Sequence, residues 1–90
     1  VPTLDDTVKV LYTGRLIDDT IFDSTKDGEA ITFRLNGIIR GWREALQLMK
    51  EGGHWEIVIP PELGYGRKGS GGSIGANETL VFEIELLEIM

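Results

Sequence analysis

Between Thr7 and Leu16 the side chains alternate. Val8, Val10, Tyr12, Gly14 and Leu16 fall on one side and Thr7, Lys9, Leu11, Thr13 and Arg15 on the other. That period of two predicts a strand with one well-buried face. Asp18-Asp19 supplies turn chemistry, and Ile21 to Ser24 reads as a short second strand. Phe22 and Asp23 are neighbours there, so a regular strand sends them to opposite faces. If both serve one site, a bulge or sharp twist is needed. Lys26-Asp27-Gly28 reads as loop. Ile31, Phe33 and Leu35 alternate with Ala30, Thr32 and Arg34 in a third strand. Trp55, Ile57 and Ile59 alternate with His54, Glu56 and Val58 in a fourth. Pro60-Pro61 stops it, because proline cannot donate to a ladder. Thr79 to Met90 sets Leu80, Phe82, Ile84 and Leu86 against Val81, Glu83, Glu85 and Leu87. It is the longest and most regular pattern and is expected at the centre of the sheet.

One stretch changes period. After a turn at Asn36-Gly37 and the apolar pair Ile38-Ile39, the apolar residues fall at Trp42, Ala45, Leu46 and Met49. This i, i+3, i+4, i+7 spacing predicts a helix with one buried stripe. Arg43, Glu44, Gln47 and Lys50 are expected to face away, and Gly52-Gly53 suits a C-terminal cap. A helix this short is not stable alone in water, so it must pack on the strands. The expectation is one α+β domain over 1–90, an antiparallel sheet wrapped on one helix, with no internal repeat and no linker.

Composition narrows the chemistry. Without cysteine there is no disulfide, thiolate metal site or cysteine nucleophile, and His54, the single histidine, makes no histidine cluster. The net charge of −6, spread along the chain, argues against nucleic acid as the main partner, since a phosphate backbone selects a basic face. Arg40, Arg43 and Lys50 read as a solvated helix face. No apolar run approaches the ~20 residues of a membrane span, and no stretch of the ninety residues reads as a signal peptide. The chain opens at Val1 rather than Met, which reads as a fragment or trimmed domain of something longer.

The glycine-rich stretch from Gly64 to Asn77 invites a phosphate-binding reading and fails it on context, since it does not follow a strand and open a helix. Gly-x-Gly-x-x-Gly starting at Gly69 needs glycine where Ile74 stands, and no Gly-Lys-Ser/Thr follows. A plain loop and a flap over a binding surface both remain, long loops in compact domains tending to be functional. Asp5-Asp6 and Asp18-Asp19 sit in polar turns and read as solvated surface. Asp23, beside Phe22, is either an ion-pair partner or a polar fixture in an apolar pocket. Phe33 and Trp55 read as core, whereas Tyr65, in a glycine loop, is poorly explained that way. Asn77-Glu78-Thr79 has the form of a glycosylation sequon in a weak context.

Four stretches together carry a resemblance: VKVLYTGRLIDDTIFDST, FRLNGIIRGWREALQLM, GGHWEIVIPPELGYG and IGANETLVFEIELLEI. In this order and spacing they resemble the FK506-binding-protein type of peptidyl-prolyl cis–trans isomerase. The FDS and IRGW-EAL stretches are most similar to its Mip-like bacterial branch. The resemblance implies a twisted antiparallel half-barrel of about five strands around one short helix, with an apolar cleft between them. It implies a pocket of Tyr12, Phe22, Tyr65 and Phe82 with Trp42 at the floor, Ile38 and Ile39 on one wall and Asp23 as the polar member. Ile31 and Ile74 join the substrate-binding set, Ile31 near a position where the family carries phenylalanine. Ser70, Ser73, Ala76 and Leu11 depart from common family residues at the rim. The family usually has a further strand before the position of Val1.

In function, the resemblance implies an enzyme that rotates X-Pro bonds in peptides and folding proteins. It would use no cofactor or metal, and it would bind FK506- and rapamycin-type macrolides. The expected hydrogen-bond donors to substrate carbonyls are the Ile39 N–H and the Tyr65 hydroxyl, with Asp23 held by Tyr12. A non-catalytic module that binds proline peptides, or a structural domain of a larger chaperone, are the alternatives, since a fold does not fix a function.

Overall fold

The structure, a computed structural model, describes residues 1–25, 28–69 and 74–90. Lys26-Asp27, Ser70 and Ser73 lie outside the described residues.

Two ten-residue strands, β1 (Thr7–Leu16) and β5 (Leu80–Ile89), form the middle of an open antiparallel sheet. β4 (His54–Ile59) flanks β5 on the far side. The other edge of β1 is shared. Its first half pairs with β3 (Ile31–Arg34) and its second half with β2 (Ile21–Ser24). The order β2–β1–β5–β4, with β3 on β1, places β5 centrally, as expected. Burial follows the alternation closely. Val8, Val10 and Tyr12 on β1, and Leu80, Phe82, Ile84 and Leu86 on β5, are buried and form one face of the core. On the opposite face, Glu56 and Glu83 stand directly across from each other, a like-charge pairing that weakens a ladder. Arg15 offsets it by reaching both, at 3.1 and 3.7 Å.

The helix α1 (Arg40–Leu46) lies over the buried face. It is shorter than the apolar period implies. Tighter turns carry the chain on, with the Leu48 N–H donating to the Ala45 carbonyl and Met49 to Leu46. Met49 is still fully buried, so the periodicity marks the buried stripe rather than the helix end. The helix is capped at Gln47 and not at Gly52-Gly53 as expected; Gly52, at φ 85°, takes the left-handed conformation that glycine tolerates in the turn before β4, and its N–H donates to the Leu86 carbonyl. Gly41 has a packing reason: a Cβ there would meet Ile59 side-chain atoms at 2.7–2.8 Å, so the glycine lets the helix lie close on β4.

Three further expectations are corrected. Leu35 is buried but opens a 3-10 turn, Leu35–Gly37, instead of extending β3. Trp55 is 38% exposed rather than core; it stands on β4, which among the described residues pairs with β5 alone. Arg43 and Gln47 are half-buried, and the Arg43 Nε has no partner among the described residues, so Arg40, Glu44 and Lys50 are the residues exposed as expected. Among the described residues no helix is long and apolar enough to cross a membrane.

Gly41→Ala tests the close helix–sheet contact. Propensity alone predicts a gain of about 1 kcal/mol, whereas overpacking costs about 1–3 kcal/mol. Urea denaturation is expected to show a net loss for Gly41→Ala, while Glu44→Ala on the exposed side stays within about 0.5 kcal/mol of the parent.

Candidate functional site

The candidate side chains converge because strand registers bring them to one face. Tyr12 and Gly14 lie opposite Ile84 and Phe82 across the β1–β5 ladder. On the other side of β1, Gly14 pairs with Asp23 and Arg15 with Ile21, so the intervening Phe22 has no partner. This is a β-bulge, the irregularity required if Phe22 and Asp23 are to serve one site. Thr25 fixes the strand beyond it: its N–H donates to the Tyr12 carbonyl at 2.9 Å, and its hydroxyl accepts from the Tyr12 N–H at 3.1 Å.

Between sheet and helix lies a cavity of about 310 Å³. Its lining comprises Tyr12, Phe22, Asp23, Phe33, Gly37, Ile38, Ile39, Trp42, Tyr65 and Phe82. Trp42 is the hub of the rings. Its indole meets Tyr12 at 5.0 Å, Phe82 at 5.2 Å and Phe33 at 5.5 Å, all close to perpendicular. Phe22 meets Phe82 edge to face at 5.5 Å. Edge-to-face contacts place the positive rim of one ring on the negative face of the next, and each adds about 0.5–1.5 kcal/mol beyond burial. The indole Nε1 is buried without an acceptor among the described residues.

The polar edge of the cavity is one hydrogen-bonded pair. The Tyr12 hydroxyl donates to Asp23 Oδ2 at 2.6 Å, and the Ser24 N–H donates to Oδ1 at 2.9 Å. Asp23 lines the cavity, and among the described residues it has no cationic partner. Burial, then the hydrogen bond to Asp23 and its negative charge, push the Tyr12 phenol well above its ordinary value. Two donors are left over: among the described residues, neither the Ile39 N–H nor the Tyr65 hydroxyl has an acceptor. Asp18, by contrast, serves its turn, accepting from the Thr20 N–H at 3.0 Å.

Of the expected site residues, the cavity gathers Tyr12, Phe22, Asp23, Ile38, Ile39, Trp42, Tyr65 and Phe82. Two fall elsewhere. Ile31 is 40% exposed on β3, and Ile74 is buried in the core; neither lines the cavity. Phe33, expected as core only, both packs on the core and lines the cavity, and Gly37 joins it. The missed signal for Phe33 is its position two residues before the turn that leads to Ile38-Ile39. No group of three or more His, Asp or Glu side chains able to hold a metal occurs among the described residues.

An open antiparallel sheet wrapped on one helix, with a cleft of perpendicular rings and a single phenol–carboxylate edge, defines a class. The chain belongs to the family of FKBP-type peptidyl-prolyl cis–trans isomerases, whose family model matches residues 1–87. It is 55% identical over 91 residues to the FKBP-type 22 kDa peptidyl-prolyl cis-trans isomerase of Escherichia coli, covering 100% of this chain and 44% of that protein. It is 52% identical to the peptidyl-prolyl cis-trans isomerase Mip of Coxiella burnetii, covering 98% of this chain and 39% of that one. Among solved structures, FkpA from Escherichia coli superposes with a TM-score of 0.94 at 50% identity, covering 99% of this chain and 42% of that one. A peptidyl-prolyl cis-trans isomerase from Pseudomonas syringae gives a TM-score of 0.92 at 43% identity, covering 98% and 65% respectively. These likenesses place the chain in the Mip-like bacterial branch. The chain spans less than half the length of the curated relatives it matches.

The Tyr12–Asp23 pair has a pH signature. The folded phenol keeps its proton to higher pH than the unfolded one, whose value is about 10. Its contribution to stability is therefore intact below about pH 10 and is lost as pH rises beyond it. Ultraviolet titration in a Tyr65→Phe background is expected to show Tyr12 ionising late, and earlier once Asp23→Asn removes the negative charge.

Proposed function

We propose that this chain accelerates rotation about X-Pro peptide bonds, through a cavity that binds the twisted amide better than the planar one. One observation carries the reading: a ring-lined apolar cleft with Trp42 as its hub, two donors without acceptors, and one phenol–carboxylate edge. Resonance sets a barrier of ~18–20 kcal/mol against rotation, and uncatalysed X-Pro isomerisation takes tens to hundreds of seconds. Twisting the amide uncouples the nitrogen lone pair, leaving a less polar C–N unit and a more ketone-like carbonyl. A cleft that strips water from the prolyl ring and amide costs the planar form more than the twisted one. That difference is transition-state binding. No bond breaks, so the residues need supply only shape and hydrogen bonds.

In this mechanism Trp42 carries the prolyl ring on its indole face, and Phe22, Phe82 and Tyr12 enclose it. The Ile39 N–H and the Tyr65 hydroxyl donate to substrate carbonyls, which accounts for their lack of internal acceptors. Asp23, held by Tyr12, orients the polar edge toward the twisted carbonyl. The substrates are proline-containing peptides and folding proteins, and FK506- and rapamycin-type macrolides compete for the same cleft.

The test is the cis-to-trans rate of a short Leu-Pro peptide, followed without a coupling protease, with and without rapamycin. Acceleration abolished by rapamycin is expected. Binding without acceleration would instead favour a non-catalytic proline-peptide module. Tyr65→Phe is expected to lower kcat/KM several-fold, from loss of about 1 kcal/mol for one hydrogen bond, and Trp42→Leu to lower it further. An unchanged rate and inhibitor affinity in Tyr65→Phe would remove that residue from the mechanism.

A further inference from the structure

Gly14 sits on the buried face of β1, in line with Val8, Val10, Tyr12 and Leu16, and no turn or positive φ asks for glycine there. Space asks for it. A Cβ on Gly14 would lie 2.6 Å from Phe82 Cε1 and 2.7 Å from Phe22 Cζ. Carbon atoms do not approach so closely, so both rings rest on the bare β1 backbone. The register explains why they meet at this point. Gly14 pairs with Phe82 on one side and with Asp23 on the other, and Phe22 is the bulged residue beside it. The bulge brings Phe22 to the buried face, and the missing side chain leaves it room.

Phe22 and Phe82 also line the cavity. Protein interiors are close-packed, so a ring lifted off the β1 backbone has the cavity as its nearest free space. We propose that Gly14 is a positioning residue that sets how far the wall formed by Phe22 and Phe82 stands into the cleft, and thereby the ring size of the imino acid it accepts. This rests on the isomerase reading, in which the cleft holds the prolyl ring. Gly14 touches no substrate; it acts through the two rings. A cleft narrowed by one methyl group discriminates between rings that differ by one methylene, a difference worth about tenfold or more in a fitted apolar pocket.

The experiment uses three peptides identical except at the imino acid: azetidine-2-carboxylic acid, proline and pipecolic acid, with four-, five- and six-membered rings. Direct isomerisation rates are measured for the parent chain and for Gly14→Ala, with cooperative thermal unfolding as the check on folding. The loss in Gly14→Ala is expected to grow with ring size, from within about twofold for the four-membered ring to about tenfold or more for the six-membered one. It should appear chiefly in KM if the narrowed cleft excludes the ring. Adding Phe22→Leu to Gly14→Ala should restore the six-membered ring preferentially. An equal loss on all three rings, or no loss, in a folded variant overturns the proposal. If Gly14→Ala does not fold, the double variant decides. Regained folding with the largest ring favoured supports the relation, and a double variant no better than the single one overturns it. If the parent accelerates none of the peptides, the isomerase reading fails by itself. Gly14 is then judged by the ring-size order of peptide affinities, read from Trp42 fluorescence in a Trp55→Phe background; an order that Gly14→Ala leaves unchanged overturns the proposal.

Discussion

The register between β1 and β5 is the constraint on which the rest of the molecule depends. Side chains alternate along a strand, so slipping this pairing by one residue would carry every buried side chain of one strand to the opposite face. In the observed register, Tyr12 lies across from Ile84, Gly14 from Phe82 and Leu16 from Leu80. That single alignment delivers a phenol, an open space and a ring in succession along the face that α1 covers. Trp42 then meets both Tyr12 and Phe82 edge-on, which seats the helix. On the other edge of β1, the bulge at Phe22 adds a second ring and a carboxylate to the same face.

How much of this was legible in the sequence follows from what each pattern encodes. Period-two alternation encodes which face is buried, so the inner residues of β1 and β5 were read correctly. It does not encode whether a strand is central or at an edge. Trp55 alternates as regularly as Ile84, yet it stands on β4, where among the described residues one side has no neighbouring strand. Helical period encodes a buried stripe and not the hydrogen-bond pattern, so Met49 was placed in the core correctly and in the helix wrongly. The bulge was legible only as a condition, because nothing in Ile21 to Ser24 announces an extra residue. It followed from asking adjacent Phe22 and Asp23 to share one site. The cleft came mostly from the family resemblance. Correspondence of position placed Ile31 in the substrate-binding set; it stands exposed on β3 outside the cavity, which Phe33 from the same strand lines.

The cleft contains little chemistry in the usual sense. Its one strong polar contact, Tyr12 to Asp23, satisfies a phenol that would otherwise be buried without an acceptor, a loss of about 1–3 kcal/mol. The bond also holds the Tyr12 ring at a fixed angle to Trp42. The carboxylate itself stays at the exposed mouth, where solvent shares its charge. The polar pair therefore orients a wall of the cleft without placing an uncompensated charge inside it.

A chain of ninety residues buries little surface to spare, and an open cavity forgoes packing that it would otherwise gain. The cost of a cavity depends on how far its walls can relax into it. Aliphatic walls relax readily, since leucine and methionine change rotamer to fill a gap. Rings braced edge to face cannot, because each is positioned by the face of its neighbour. Trp42 is held by three such contacts, to Tyr12, Phe33 and Phe82, and Phe82 by two, to Trp42 and Phe22. Glycine completes the same device from the other side: at Gly14 the rings lie back against a strand, and at Gly41 the helix lies down on Ile59. The space that a substrate would enter is thus kept open by stiff walls and by side chains left out behind them. Selection for function in this fold should therefore be visible at buried glycines as well as at the rings they support.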